Sequence, residues 1–311
     1  MMKKTHVKNL AEFVAAVRAL EKQWKIRNRT TPLWFRGHAD ASWSLLPGLY
    51  RGRVDAQFER ELVRDFDLYS APFLTGMGTT TAFDRLFVMQ HYGMPTRLLD
   101  WTESQLVALY FAVLSPESPE DATVFVLDPW RLNKVSLGQQ SVPTIDHPSV
   151  SDYLLRRDPE GSGRLVPGKD PIALRPPHHT ERIRAQNGFF TVHGHSQEPL
   201  DSFRFDGLSK IVIRSAAKGR MLREVIKAGV SPKVVFPDLS GLCQDISLRY
   251  AMQEHTRRRV VSVRGTLGAG KSTPRKVASK RVTSTGRPIR FSERPELFSG
   301  RVGSAGRIKG R

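Results

Sequence analysis

One stretch limits the possible folds more than any other. Residues 106–114, LVALYFAVL, are apolar at every position. A helix with no polar stripe is not at home on a surface, so a helix over 103–115 is expected to be enclosed on all sides. The run is far shorter than the roughly 20 residues that cross a bilayer, so no membrane span is expected. The chain must instead wrap other elements around this segment. With 311 residues, 39% of them apolar, it has the material to do so.

Periodicity indicates what does the wrapping. Leu10, Phe13, Val14, Val17, Leu20 and Trp24 share one face of a helix over 9–25. Further helices are predicted over 55–69 and 82–91, the second stopped by the Tyr-Gly-Met-Pro turn at 92–95. LWFRG (33–37), ATVFVLD (122–128), GFFTV (188–192), SKIVI (209–213) and KVVF (233–236) read as strands. KGRMLREVIKAG (218–229) and the run from Pro237 to Gln253 read as helices, with Cys243 on the packed side of the latter. Residues 131–170, polar and rich in Gly, Pro and Ser, read as an irregular insertion. Helices and short strands without a regular βαβ series predict one α+β domain over 1–255.

The rest of the chain differs in kind. From Arg257 onward sixteen Lys/Arg face only Glu293 and Glu296, which leaves +14 of the chain's +19 in residues 256–311. This segment is expected to be disordered and to attract nucleic acid through counterion release. It contains GTLGAGKS (265–272), a complete phosphate-loop pattern. A working loop of that kind needs a strand before it and an amphipathic helix after it. KVASKRVTSTGRP, which follows, has no apolar stripe, and too little chain remains for a parallel sheet. The match is therefore read as compositional. One cysteine excludes an internal disulfide framework, and the basic start lacks the apolar core of a secretory leader, so a cytoplasmic setting is expected.

Chemistry-bearing residues concentrate in two stretches, LWFRGHADASWSLLPGLYR (33–51) and MQHYGMPTRLLDWTESQLVALYFA (89–112). Arg36 lies in a strand among Leu33, Trp34 and Phe35, and a guanidinium there must be paired. Asp100 or Asp84 could pair it within the protein, or its planar fork could hold a ligand phosphate. Gly37 would admit a close approach of backbone or ligand. His91, Tyr92, Thr96, Arg97, Asp100, Trp101 and Thr102 cannot all face an apolar core, and their density suggests a pocket. Each also has a plainer reading. Asp100, Trp101 or Thr102 could cap the following helix, Arg97 could brace Asp100, and Tyr92 and Trp101 could be core. His91 suits a general base or a hydrogen-bonded spacer. His193 and His195 share a strand face, but the solvated loop that follows argues against zinc, and no metal is expected.

These stretches together resemble the FRG domain, a bacterial and phage family named for the Phe35-Arg36-Gly37 type of motif. The likeness continues through ALRPPHHTERIRAQNGFFTVH (173–193) and VVFPDLSGL (234–242). Gln186 matches a family position and is expected to face the same interior as Arg36. The order WFRG, then TRLLDWTESQLVALYFA, then ATVFVLD, is also similar to that of ADP-ribosyltransferases. That likeness implies a nicotinamide dinucleotide (NAD) held by Arg36, Gly37, His91, Tyr92, Arg97, Trp101 and Thr102. Arg36, Thr96, Asp100 and Gln186 would then be the catalytic group. It departs from that superfamily where a late catalytic glutamate is usual and RIRAQNGFF has Gln186. The FRG resemblance further implies a toxin or phage-defence effector, with an antitoxin or phage protein as partner. The competing expectation is a non-catalytic module that binds nucleotides or nucleic acid.

Overall fold

The computed structural model describes residues 4–26, 32–52, 56–74, 81–151, 153, 170–176, 184–194 and 196–251. The chain divides into two compact units, one holding the described residues up to Ser231 and the other those from Pro232. The first unit is α+β and is built on one seven-stranded sheet. Its strands are β1 (Lys4–Val7), β2 (Trp34–His38), β3 (Leu98–Thr102), β4 (Ala122–Leu127), β5 (Ile172–Leu174), β6 (Gly188–Val192) and β7 (Leu208–Ile213). They lie in the order β1-β7-β4-β2-β3-β6-β5, antiparallel except for the β1–β7 edge.

Helix α1 (Leu10–Gln23) starts at Asn9, whose side chain accepts the Glu12 N–H, and buries Phe13, Val17 and Leu20. Short α2 (Gly48–Arg51) precedes α3 (Ala56–Ser70) and α4 (Ala82–His91). Thr81 and Asp84 form a capping box at the start of α4. The all-apolar segment becomes α5 (Gln105–Val113), laid across β2 on one side and packed on α8 (Ser215–Lys227) on another. Between them, α6 (Pro129–Leu137) and α7 (Pro148–Ser151) fall within the stretch read as irregular. Their signals are short: Asp128 accepts two N–H groups ahead of Pro129, and Gly138 closes α6 at φ 72°.

Two further segments depart from the sequence reading. LLDWT is a strand rather than a helix approach, and Ser104, not Asp100, Trp101 or Thr102, caps α5. A five-residue strand buried on both faces has no alternation to reveal it. KVVF is not a strand. Pro232–Val235 forms a helical turn, as suits a proline at the first helical position.

Described by itself, the second unit continues as a helix over 239–251. Gly241 there faces the Phe236 carbonyl so closely that a Cβ would lie 1.9 Å from it. Cys243 is exposed rather than packed. The basic tail and its phosphate-loop pattern lie outside the described residues.

The sheet carries a core on each face. On one, Leu98, Phe190, Val192, Ile172 and Leu174 meet Phe83, Phe87 and Met89 of α4. On the other, Trp34, Leu99, Trp101, Phe125 and Phe189 cluster with Leu45 and Leu132. Register ties these sets together, since directly opposed residues such as Asp100 and Phe190, or Trp101 and Phe189, share a face. One seam is different. β2 meets β4 over five residue pairs, whereas β2 meets β3 at Phe35–Thr102 alone.

Candidate functional site

The site lies where β2 and β3 part. Phe35, Arg36 and Gly37 form one bank, and Asp100, Trp101 and Thr102 the other. Gln90 and His91 from the end of α4 and Val107, Ala108 and Phe111 from α5 close it above. Gln186 and the start of β6 complete the lining. The cleft is partly open, and its volume is about 40 Å³, room for about three waters at roughly 10–15 Å³ each.

Each part of the Phe-Arg-Gly motif has a distinct task. Gly37 lies directly beneath α5, and a Cβ there would stand 2.0 Å from the Ala108 carbonyl oxygen and 2.7 Å from the Ala112 nitrogen. The glycine thus admits a backbone. Arg36 fills the gap left where the ladder stops. Its Nη1 donates to the Asp100 carbonyl at 2.6 Å, replacing a strand partner, and reaches the Asp100 carboxylate at 3.5 Å. Its Nε donates to His38 Nε2 at 3.0 Å, which fixes the imidazole proton on Nδ1. Burial lowers the Arg36 pKa to about 10; Asp100 opposes that shift and Arg51 adds to it. His38 is held well below its ordinary value, by burial first and then by the charges of Arg36 and Arg51.

The opposite bank is a chain of oriented groups. Thr96 Oγ1 accepts the Leu98 N–H at 3.2 Å and donates to Gln90 Oε1 at 2.5 Å. Gln90 Nε2 in turn donates to Asp100 Oδ2 at 2.8 Å. Thr102 Oγ1 donates to the Gln186 carbonyl at 2.5 Å and accepts the Ser104 N–H, which ties the end of β3 to the turn that carries Gln186. Asn187 makes that turn at φ 45°.

Of the residues singled out from sequence, Arg36, Gly37, His91, Asp100, Trp101, Thr102 and Gln186 line the cleft. Three do not. Thr96 acts one step behind it, through Gln90. Tyr92 is exposed, its ring edge-on to His91 at 4.8 Å. Arg97 points elsewhere, and both arms of its fork donate to Glu59 at 2.7 Å. Trp101 reaches the cleft, but its Nε1 donates to Thr191 Oγ1 and its ring belongs to the opposite core. Sequence reasoning missed His38, although its place two residues after Arg36 puts it on the same strand face. Glu103, half-buried just past β3, has its carboxyl raised by burial against the opposing pull of Arg175 and Trp34.

A second buried polar group surrounds Arg97. His193 is its cross-strand neighbour, joined by a backbone bond of 3.1 Å from the His193 N–H to the Arg97 carbonyl. Tyr50 presents its ring to His193 and donates its hydroxyl to the Gly194 carbonyl. Burial lowers His193 to about 3 and raises Tyr50 to about 12. Among the described residues, Arg97 Nη1 has no hydrogen-bond partner. No group of three or more metal-ligating side chains occurs there, and no described helix is long and apolar enough to cross a membrane.

Comparison with protein families matches residues 31–121 to the FRG domain. The chain carries an FRG domain. The matched segment contains both banks of the cleft, the end of α4 and all of α5, while Gln186 and β6 come from outside it. Comparison with curated proteins and comparison with solved structures each find no match.

Proposed function

We propose that the FRG cleft binds the anionic part of a nicotinamide dinucleotide and supports ADP-ribosyltransferase-like chemistry. The observation that carries this reading is the Arg36 guanidinium. It is desolvated, clamped between His38 and Asp100, and lines a cleft that also holds two glutamine side chains and an imidazole. A cation fixed before the ligand arrives needs little reorganisation to hold charge. The order of strand, threonine-bearing segment, buried helix and strand supports the likeness by analogy of fold. In such a transfer the bond from ribose C1′ to nicotinamide breaks and its electron pair leaves with neutral nicotinamide. An acceptor oxygen or nitrogen then bonds C1′ and loses its proton to solvent. The cleft's volume takes only part of a dinucleotide, so the remainder lies at the mouth, near exposed Tyr92. A role as a toxin or defence effector follows from the FRG resemblance.

Titration of ADP-ribose into the full chain tests the reading. Arg36→Lys keeps the charge and loses the fork, and should weaken binding at least about tenfold. Equal affinity of the two proteins would remove Arg36 from the ligand site. A second reading rests on the +14 carried by residues 256–311: the chain binds nucleic acid without strong sequence preference. For about six to ten phosphate contacts, affinity should fall on the order of a thousandfold or more from 50 to 200 mM salt. A flat salt response excludes this role for the tail.

A further inference from the structure

We propose that His38 is a positioning residue for anion capture: its imidazole accepts the Arg36 Nε–H, closes the side edge of the guanidinium and fixes the plane in which the Nη end meets a ligand. This rests on the reading of Arg36 as the anion-binding group. A guanidinium is flat and offers two edges, one made by Nε with one Nη and the other by both Nη nitrogens. Arg36 and His38 project from the same face of β2, one strand repeat of roughly 6.5–7 Å apart. The arginine Nε donates to His38 Nε2 at 3.0 Å, so the side edge is occupied. A second bond, from Nη1 to the Asp100 carbonyl at 2.6 Å, comes from the opposite bank of the cleft. One bond would let the flat group turn about that bond. Two bonds in different directions hold its plane.

The acceptor is itself held. His38 is 2% exposed. Phe125 stands edge-on to its ring at 5.2 Å, and Trp43 lies tilted to it at 6.0 Å. The charges that act on the ring are Arg36 beside it on β2, Arg51 of α2 and Lys210 of β7. All three are cations, and together with burial they keep the imidazole neutral, with the Trp43 backbone opposing them. Neutrality is what the bond to Arg36 needs, because an imidazolium has no lone pair to accept it. The choice of residue also matters for charge. A carboxylate in this place would orient the arginine but counter its charge. A neutral imidazole orients it and leaves the charge for an anion.

The test is calorimetric titration of ADP-ribose into the full chain and its variants, so that the basic tail is common to all. Glutamine carries Oε1 where histidine carries Nε2, and His38→Gln should bind within about threefold of wild type. His38→Leu, which lacks an acceptor, should bind at least about tenfold more weakly. In an Arg36→Lys background the leucine change should cost nothing further, since lysine has no Nε–H to orient. A loss of equal size in both backgrounds marks a merely structural role and overturns the inference, as does equal loss in His38→Gln and His38→Leu. Should His38→Leu fail to fold, nitrogen–proton correlation spectra of the histidine rings decide on the wild-type protein, with the His38 signal assigned by its absence from His38→Gln. A neutral ring protonated on Nδ1 at about pH 7 is expected, and a proton on Nε2 overturns the inference. Binding that depends on Arg36 but is indifferent to His38→Leu also overturns it and leaves the anion site standing. Absence of binding, or binding indifferent to Arg36→Lys, brings down the anion-site reading as well.

Discussion

Two arginines of the same sheet meet a carboxylate, and they do so in opposite ways. Arg97 and Glu59 form a matched fork, with two bonds of 2.7 Å and both side chains almost fully enclosed. Arg36 Nη1 approaches the Asp100 carboxylate at 3.5 Å and the Asp100 carbonyl at 2.6 Å. The first pair closes on itself and leaves only Arg97 Nη1 without a hydrogen-bond partner. The second spans the seam where two strands part and borders a cleft. Burial alone does not separate them, since both guanidinium groups are removed from water. Geometry does: a bidentate pair spends its fork on the partner, whereas a splayed pair held by other groups keeps its charges facing a common space.

The largest expected contrast is in stability. Arg97→Met leaves Glu59 buried without its partner and should cost about 3–5 kcal/mol. Denaturant melts of this variant and of Arg97→Met/Glu59→Leu test the closed pair, since the double change should recover much of the loss. A single change costing under 1 kcal/mol would mean that Glu59 is rehydrated and the pair is not closed.

Acid should probe the surroundings of Arg97 next. An unfolded His193 takes up a proton near its ordinary value of 6.5, while the folded ring resists until about 3. The unfolded state therefore binds more protons in that window. Stability is fully present above about pH 6.5 and is lost as pH falls toward 3, by about 2 kcal/mol between pH 6.5 and 5. His38 shifts in the same direction and adds to the slope. Melting curves at pH 7, 6 and 5 check this, and His193→Phe should flatten part of the trend. A slope unchanged by His193→Phe would place the acid sensitivity elsewhere.

Arg36 should matter less to stability than Arg97. Arg36→Met gives up hydrogen bonds to the Asp100 carbonyl and His38, on the order of 1–3 kcal/mol, while Gln90 still holds the Asp100 carboxylate. Melting of this variant beside Arg97→Met orders the two pairs directly. If Arg36→Met costs as much as Arg97→Met, the contrast between open and closed pairs collapses.

The same contrast explains what could be read from sequence. Arg36 and Asp100 are legible because a polar group amid apolar neighbours must find a purpose, whatever the fold, and Gln186 is legible through the family pattern. The helices at 10–23, 56–70 and 82–91 were legible through their periodicity and, for the third, its stop signal. Arg97 was grouped with the cleft because it sits three residues from Asp100. Strand geometry then sends residues an odd number apart to opposite faces, and that geometry was hidden while 98–102 was not recognised as a strand. His38 escaped for a related reason: its importance depends on a bond to Arg36 two residues away, which only an extended backbone allows. β1 and β5 are too short to announce themselves without the partners they complete.

One edge of the sheet bears on how the protein comes into being. β1 pairs in parallel with β7, Lys4 opposite Lys210 and Val7 opposite Ile213. About two hundred residues separate these partners, so β1 must wait for the chain between them to be synthesised before it can pair with β7. At roughly 5–20 residues per second, that wait is on the order of ten seconds or more. Through that interval the nascent chain carries β1 without its sheet partner. A bulky tag fused ahead of Lys4 would act on this last-closing edge. It should slow maturation of newly made protein while leaving the cleft between β2 and β3, which is assembled from residues 35–190, able to form.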